Sequence, residues 1–308
     1  MMQNKVWLCA IIFAGITGMC EARPDTAGEF LTFGLGARAS GMGEAFTAVA
    51  DDSTAVYWNP AGLACQSQKS VTLMHNNLYP DLYNDIYYDG LVYASPVSPK
   101  TAFGIGITYL HSGSHDIVNL NPATQKIDVV GSFQTSDLSI TGCYAKGFDN
   151  GLSAGMNIKY ISSKTYYINA ESYAADFGVM YQTPVKGIRL GAVLKDWGKK
   201  VQNVDHYQSD GLPTTVKAGA ACQLNENVLI AGEVIKPLYD KFTGGAIGVE
   251  AVLTDRFVGR VGYFSKERDC QGLTYGAGIM LDKWQMDVAS LPTGKLGKTN
   301  RVSVSRRF

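Results

Sequence analysis

From Ser70 to the C terminus, polar and apolar residues alternate in short runs, and no stretch keeps a helical period. In "GLSAGMNIKYIS", Leu152, Ala154, Met156, Ile158 and Tyr160 share one face, while Ser153, Gly155, Asn157 and Lys159 share the other. "AFGIGITYL" sets Phe103, Ile105, Ile107 and Tyr109 against Gly104, Gly106 and Thr108. "LTYGAGIML" sets Leu273, Tyr275, Ala277 and Ile279 against Thr274, Gly276 and Gly278. Turn residues bound each run, which predicts about fourteen strands. They fall at 70–78, 86–95, 101–111, 134–147, 152–164, 172–182, 188–197, 213–223, 228–237, 243–253, 256–265, 272–281, 283–291 and 299–308.

The connections select the architecture. After even-numbered strands they are short: "PVSPK", "FDNG", "TPVKG", "LNEN", "TD" and "DK". After odd-numbered strands they tend to be longer, as at 112–133, 198–212, 266–271 and 292–298. An all-β, antiparallel outer-membrane β-barrel has this inequality, with tight periplasmic turns, longer outer loops and both termini on the periplasmic side. A soluble sandwich has no reason to keep its two ends so different. The faces agree. Phe103, Tyr109, Tyr144, Tyr160, Phe177, Tyr181, Tyr263, Tyr275 and Trp284 fall on the apolar face, several near strand ends where aromatic girdles sit. Asp137, Lys159, Asp176, Arg189, Lys217, Glu250, Arg260 and Asp287 fall on the other, where a polar lumen tolerates charge that lipid does not. The first two strands can be phased either way. The inward face is also rich in glycine, at 104, 106, 155, 178, 191, 219, 248, 262, 276 and 278. Glycine inside a strand often marks a close approach by another backbone, so something is expected to fill the lumen.

Composition narrows the partners. Lys plus Arg and Asp plus Glu are equal at 27, which removes the electrostatic reason to expect nucleic acid. With 34 glycines, 17 tyrosines and only 18% charged residues, turns and aromatic strands are favoured over helical surface. The start has the form of a secretory signal peptide over 1–22: "MMQNK" is basic, "VWLCAIIFAGITG" apolar, and "CEA" a cleavage signal. The apolar run is shorter than the roughly 20 residues of a membrane span. Cys65, Cys143, Cys222 and Cys270 would remain in the mature chain without metal-ligand spacing, and sequence does not choose their pairing.

Residues 23–69 differ from the rest. "ASGMGEAFTAVA" suits a short helix, Asp52 or Ser53 could cap another turn, and "NPAG" is a turn signal. Too short and polar to fold alone, this segment is expected to pack inside the barrel, 70–308, as a plug. "EFLTFGLGARA" mimics a strand followed by the dinucleotide fingerprint, but the required parallel strand and acidic ribose ligand do not follow.

"GARASGMGEAFTAVADDSTAVYWNPAGLA" resembles the opening signature of PorV/PorQ outer-membrane proteins, and "NPAGL" more distantly resembles the hatch of FadL-like fatty-acid transporters. The matching positions are Gly36, Arg38, Met42, Gly43, Ala45, Asp52, Asn59, Pro60, Ala61, Gly62 and Leu63. "RLGAVLKDWG", "LPTTVKAGAA", "GVEAVLTDRFVGRVGYF", "GLTYGAGI" and "LGKTNRVSVSRRF" extend the likeness over nearly the whole mature chain. It implies a barrel with a luminal hatch, shaped and moved through Arg38, Met42, Gly43, Asn59, Pro60, Ala61 and Gly62. It also implies that Val302, Val304 and Phe308 form the terminal signal read by the barrel-assembly machinery. The modest loops and four mature cysteines depart from the family.

No enzymatic motif is present. His111 and His115 have a helical metal spacing but fall at a strand end and its loop, so no metal or cofactor is expected. Asp137, Asp176, Glu250 and Asp287 read as plug anchors, pairing with Arg38 and with luminal Arg or Lys. Two functions lead, with a purely structural surface protein as a third. As a transporter, the barrel would pass hydrophobic small molecules such as long-chain fatty acids, with Phe46, Tyr57, Trp58 and Leu63 as binding candidates. As a PorV-like accessory of protein secretion, it would dock cargo or secretion-system proteins through loops 112–133 and 198–212. The modest loops and complete hatch favour transport.

Overall fold

The computed structural model describes residues 26–80, 85–121, 126–166, 169–200, 202–203, 211–266 and 271–308. The expected signal peptide, His206 and Cys270 lie outside them. Among the described residues, seventeen strands occur in the order β1 (Ser70–Asn77), β2 (Ile86–Ser98), β3 (Thr101–Ser112), β4 (His115–Asn121), β5 (Lys126–Phe133), β6 (Ser136–Gly147), β7 (Leu152–Lys164), β8 (Asn169–Gln182), β9 (Ile188–Gly198), β10 (Gln202–Asn203), β11 (Thr215–Asn225), β12 (Val228–Pro237), β13 (Gly244–Val252), β14 (Phe257–Ser265), β15 (Gln271–Leu281), β16 (Trp284–Pro292) and β17 (Lys298–Arg307).

Fourteen of these close an antiparallel barrel. β1 pairs with β17 from Ser70↔Arg307 to Asn77↔Asn300, and β8 with β9, so the ring has no free edge. Closure satisfies every strand's amides within the sheet, which hydrocarbon surroundings require. The other three strands correct the expectation of plain loops. β4 and β5 form a separate hairpin inside the 112–133 connection, and β10 adds two residues to β8. "HDIVNLN" and "KIDVVGSF" are rich in the β-branched and aromatic residues that pair well as a ribbon.

Alternation orients the wall. Leu73, Ile105, Ile158 and Leu273 are exposed on the outside, while Asn157, Lys159, Asp176 and Arg260 are buried inside. The ambiguous first strands resolve with Thr72, Met74, Tyr88, Gly90 and Val92 buried and Leu73, Leu91 and Tyr93 exposed outside. β9 changes phase at a bulge. The register with β8 shifts between Ala175 and Phe177, Asp196 takes φ 56°, and Lys195 and Asp196 are both buried.

Residues 26–65 lie against this inner face as short helical turns: 3₁₀ at Glu29–Thr32, α1 at Ala37–Gly41, α2 at Ala55–Trp58 and 3₁₀ at Pro60–Cys65. The helix expected over 39–50 stops at Gly41. Gly43 and Glu44 adopt φ of 65° and 63°, which no right-handed helix accommodates. The Glu29–Thr32 turn replaces the strand suggested by "EFLTF". Thr26 bridges Gly211 at the long-loop end of the barrel, whereas Cys65 leads to Ser70 at the short-turn end, where Phe308 binds the Lys69 carbonyl. The first and last described residues therefore lie at opposite barrel ends, and the expected N terminus of the mature chain lies outside the described residues.

The inward glycines now have a physical reason. Gly104 and Gly106 face Val56, Gly155 faces Pro60 and Ala61, and Gly178 faces Asn59 and Pro60. Gly191 faces Thr47 and Ala48, Gly248 and Gly262 face Met42 and Gly43, and Gly276 faces Gly41. Gly219 and Gly278 instead meet the barrel's own residues. A Cβ on Gly248 would stand 2.8 Å from the Met42 Cα, inside van der Waals contact, whereas one on Gly142 would meet nothing within 4 Å. Gly248→Val should therefore cost about 1–3 kcal/mol, as overpacking does, and Gly142→Val close to nothing. Unfolding midpoints read from heat-modifiable gel migration check this. Equal loss in both variants would mean that the glycines answer to strand curvature instead.

Candidate functional site

Arg38, on the first turn of α1, is the main electrostatic tie between segment and wall. Its guanidinium donates in bidentate fashion to Glu250 of β13, Nε and Nη2 each 2.9 Å from a carboxylate oxygen. Nη1 donates to Asp51 at 2.6 Å and Asp52 at 2.9 Å. Glu250 also accepts from Arg260 at 2.6 Å, and Arg260 continues to Asp287 at 2.8 Å. Burial alone would raise the Asp51 carboxyl, but Arg38 and then Arg189 overcome it and hold Asp51 below the ordinary carboxylate range. The expected anchoring through Arg38 thus runs through Glu250 directly and through Asp287 by way of Arg260. Asp176 pairs with Lys159 of the wall instead, at 2.8 Å, and Asp137 makes no ion pair with the segment.

Asn59 organises the second anchor. Its Oδ1 accepts from the Ala61 amide at 3.2 Å, capping the Pro60–Cys65 turn, and Nδ2 donates to the carbonyls of Thr47 and Val179. One side chain therefore shapes the turn, ties it to the preceding loop and fastens it to β8. Pro60 supplies the fixed φ of a first helical position. Ala61 and Gly62 are buried, with Gly62 directly against the Ala50 carbonyl. Met42 and Gly43 press on β13 and β14, and Gly43 donates to Thr274 Oγ1 at 2.9 Å.

The four aromatic and aliphatic binding candidates form the segment's own core. Phe46, Trp58 and Leu63 are fully buried, with ring centroids 6.0 Å apart for Phe46–Trp58 and 4.9 Å for Tyr57–Trp58. Trp58 Nε1 donates to the Leu35 carbonyl at 2.8 Å and Tyr57 Oη to the Leu31 carbonyl at 2.9 Å. Of the four, Tyr57 lines a cavity.

Several anchors escaped the sequence reading. Glu233 of β12 accepts from the amides of Phe46 and Thr47 at 3.1 and 3.0 Å. Glu44 pairs with Arg301 of β17 at 2.9 Å and with Lys266. Ser303 accepts from the Ala37 amide, and Ser53, Thr72 and Ser305 form a hydroxyl chain across the β1/β17 seam at 2.7 Å per step. Strand alternation already put Glu233, Arg301 and Ser303 inward, so that signal was available. Their partners could not be read from it.

Cavities among the described residues adjoin the segment. At the short-turn end a space of about 340 Å³ has polar and charged walls that include Arg38, Asp51, Asp52, Glu250, Arg260 and Asp287. Another of about 130 Å³ lies beside Cys65 and Phe148, and one of about 40 Å³ lies beside Tyr57 and Lys195. None is an apolar chamber of the several hundred cubic ångströms that a small-molecule pocket usually occupies. At the C terminus, Val302 and Phe308 are exposed and Val304 half-buried on the outer face, and Arg306 stacks 5.1 Å from Trp284 and 4.7 Å from Phe308. Cys65, Cys143 and Cys222 are free thiols. Among the described residues no cluster fit to hold a metal occurs.

An apolar outer wall on a closed ring around a polar, filled lumen defines an outer-membrane β-barrel. The sequence profile described as Type IX secretion system protein PorV matches residues 21–234, and the chain belongs to that family. No curated protein compared with the chain matches it. Among solved structures, the Ralstonia pickettii toluene transporter TbuX matches with TM-score 0.66 at 13% identity, over 89% of this chain and 98% of its own. The Pseudomonas putida toluene transporter TodX gives 0.60 at 12%, over 88% and 96%. A Pseudomonas aeruginosa FadL homologue gives 0.54 at 12%, over 88% and 97%. At such identities the likeness establishes the fold.

Removing one partner of a buried ion pair costs about 3–5 kcal/mol, because the other is left uncompensated. Arg38→Met should therefore destabilise strongly and expose residues 26–65 to protease, and adding Glu250→Met should recover part of the loss. A double-mutant cycle on the unfolding midpoint measures this, and strictly additive losses would remove Arg38 as the tie. Acid should act in the same direction. A depressed carboxyl such as Asp51 contributes stability above its unfolded pKa of about 3.9, lost as pH falls through its lower folded value. Protease sensitivity of the segment should consequently rise below about pH 4.

Proposed function

We propose that the protein is a non-enzymatic outer-membrane platform for protein secretion, which binds cargo or secretion-system proteins at its long-loop end. The carrying observation is the β4–β5 hairpin. It forms its own sheet, and Val118, Ile127, Val129 and Val130 are 56–69% exposed on it. Apolar exposure of this kind on a projecting ribbon suits a protein contact. Membership of the PorV family, whose description names the type IX secretion system, supports the same reading. On it, a signal peptide over residues 1–22 delivers the chain to the periplasm. The short-turn end then faces the periplasm and the long-loop end the cell exterior, as in other outer-membrane barrels. Val302, Val304 and Phe308 serve as the recognition strand for barrel assembly.

This revises the preference for transport that the sequence suggested, because the segment fills the lumen with its own apolar core. A specific observation keeps transport as the second reading. Cavities of about 340 and 40 Å³ lie at the short-turn and long-loop ends, with the segment between them. A hatch swinging on Asn59, Pro60, Ala61 and Gly62, released at Arg38, would join the two into a path for hydrophobic small molecules.

Replacing residues 115–133 with a short turn, in the native host, separates the readings. The platform predicts loss of surface-displayed cargo with normal barrel assembly and unchanged small-molecule uptake. Retained cargo display with impaired uptake would overturn the platform and favour the moving hatch.

A further inference from the structure

On the outer wall, the apolar surface is interrupted at β1 and β2. His75 Nδ1 stands 2.7 Å from one carboxylate oxygen of Asp89, and His111 Nε2 of β3 stands 3.4 Å from the other. Tyr87 lies between the two imidazoles, its ring centroid 5.5 Å from that of His75 and 5.4 Å from that of His111. All four side chains face outward, since Met74, Tyr88, Gly90 and Ser112 beside them are buried within. Their depth follows from the register. Val71 pairs with Arg306 and His75 with Val302, so about 13 Å of strand separates the Arg306–Trp284 girdle from His75. The apolar band of such a barrel is about 25 Å tall. A continuous row of strand pairings agrees. It climbs from Val228 at the short-turn rim to Glu171 at the long-loop rim, and His75 and Asp89 come midway along it. A carboxylate and two imidazoles therefore stand where hydrocarbon is expected, and polar groups there are rare and costly.

Soluble proteins do not reach that depth, so whatever covers these groups is itself embedded in the membrane. The surface carries its own complement. His75 and Asp89 are register partners on adjacent strands, at nearly one depth and on either side of the line between β1 and β2. We propose that this wall is the contact between two copies of the chain, related by a two-fold axis along the membrane normal. The axis passes between His75 and Asp89 and sets the Asp89 of each copy against the His75 of the other. The His75 side chain is 62% exposed and so has an edge to present. It then stands between two Asp89 carboxylates, to which its two ring nitrogens donate in the protonated form. Leu73 and Leu91, register partners one step toward the short turns, are exposed and pack about the same axis. Two equivalent polar contacts thus form in one association, and the groups that lipid disfavours are covered by their own kind.

Photo-cross-linking of the full chain in phosphatidylethanolamine–phosphatidylglycerol vesicles tests the contact. Benzoylphenylalanine replacing Leu91 should give a cross-linked species of twice the chain mass. The same group replacing Val216, outward on the far side of the ring, should not. Asp89→Leu suits lipid better than the parent residue, yet should lower the cross-linked fraction about tenfold or more while the barrel still migrates as folded. His75→Asp sets carboxylates against one another and should act likewise. Combining His75→Asp with Asp89→His restores the complement and should recover the dimer. Absence of the double-mass species at every lipid ratio, equal cross-linking at both positions, or a dimer that survives Asp89→Leu would overturn the proposal. Cross-linking of position 91 in the native membrane to a different protein alone would overturn it too. If Asp89→Leu does not assemble, Asp89→Asn and the double exchange still decide. The result is independent of the secretion reading, because it measures association between copies and not cargo display.

Discussion

A backbone amide in hydrocarbon has no water to bind, so a strand crossing the membrane must be paired on both edges. That constraint forces β1 onto β17, and the remaining architecture follows from the ring it produces. Closing the ring turns strand alternation into an inside and an outside. The outside can be apolar throughout. The inside then holds a space that must be filled, either by water or by protein.

Here the chain fills it with its own residues 26–65. The segment has no stable fold of its own, being a set of helical turns no longer than six residues. It is ordered by contact, and two devices make contact possible. Glycines on the inward face let backbone approach backbone, as Gly276 does to Gly41. Charged side chains then fix register, with Arg38 on Glu250, Glu44 on Arg301 and Glu233 on two consecutive amides. The Ser53–Thr72–Ser305 hydroxyl chain also spans the β1/β17 seam, so the plug and the closure of the ring support each other.

A barrel filled in this way makes a rigid base. Its functional variety lies in what the ends present, namely the charged vestibule at the short turns and the exposed hairpin at the long loops. This division agrees with the general placement of function on loops and luminal groups carried by a stiff scaffold.

Much of this was legible in the chain. The period-two pattern identified the fourteen barrel strands to within a few residues, the unequal connections gave the antiparallel barrel, and inward glycines announced an occupant. These features are local, because side-chain direction in a strand depends on residue parity and turn residues act over a few positions. Pairing across the lumen is not local. Nothing in the sequence near Arg38 names Glu250, more than two hundred residues away, nor distinguishes Phe46 and Trp58 as core rather than ligand contacts. The bulge that turns Asp196 inward beside Lys195 was also hidden, since one extra residue reverses parity without altering composition. The sequence by itself determined which residues alternate and where the chain turns. Only the closed tertiary structure decided which inward groups meet, because that depends on the circumference of the ring and the path of the segment through it.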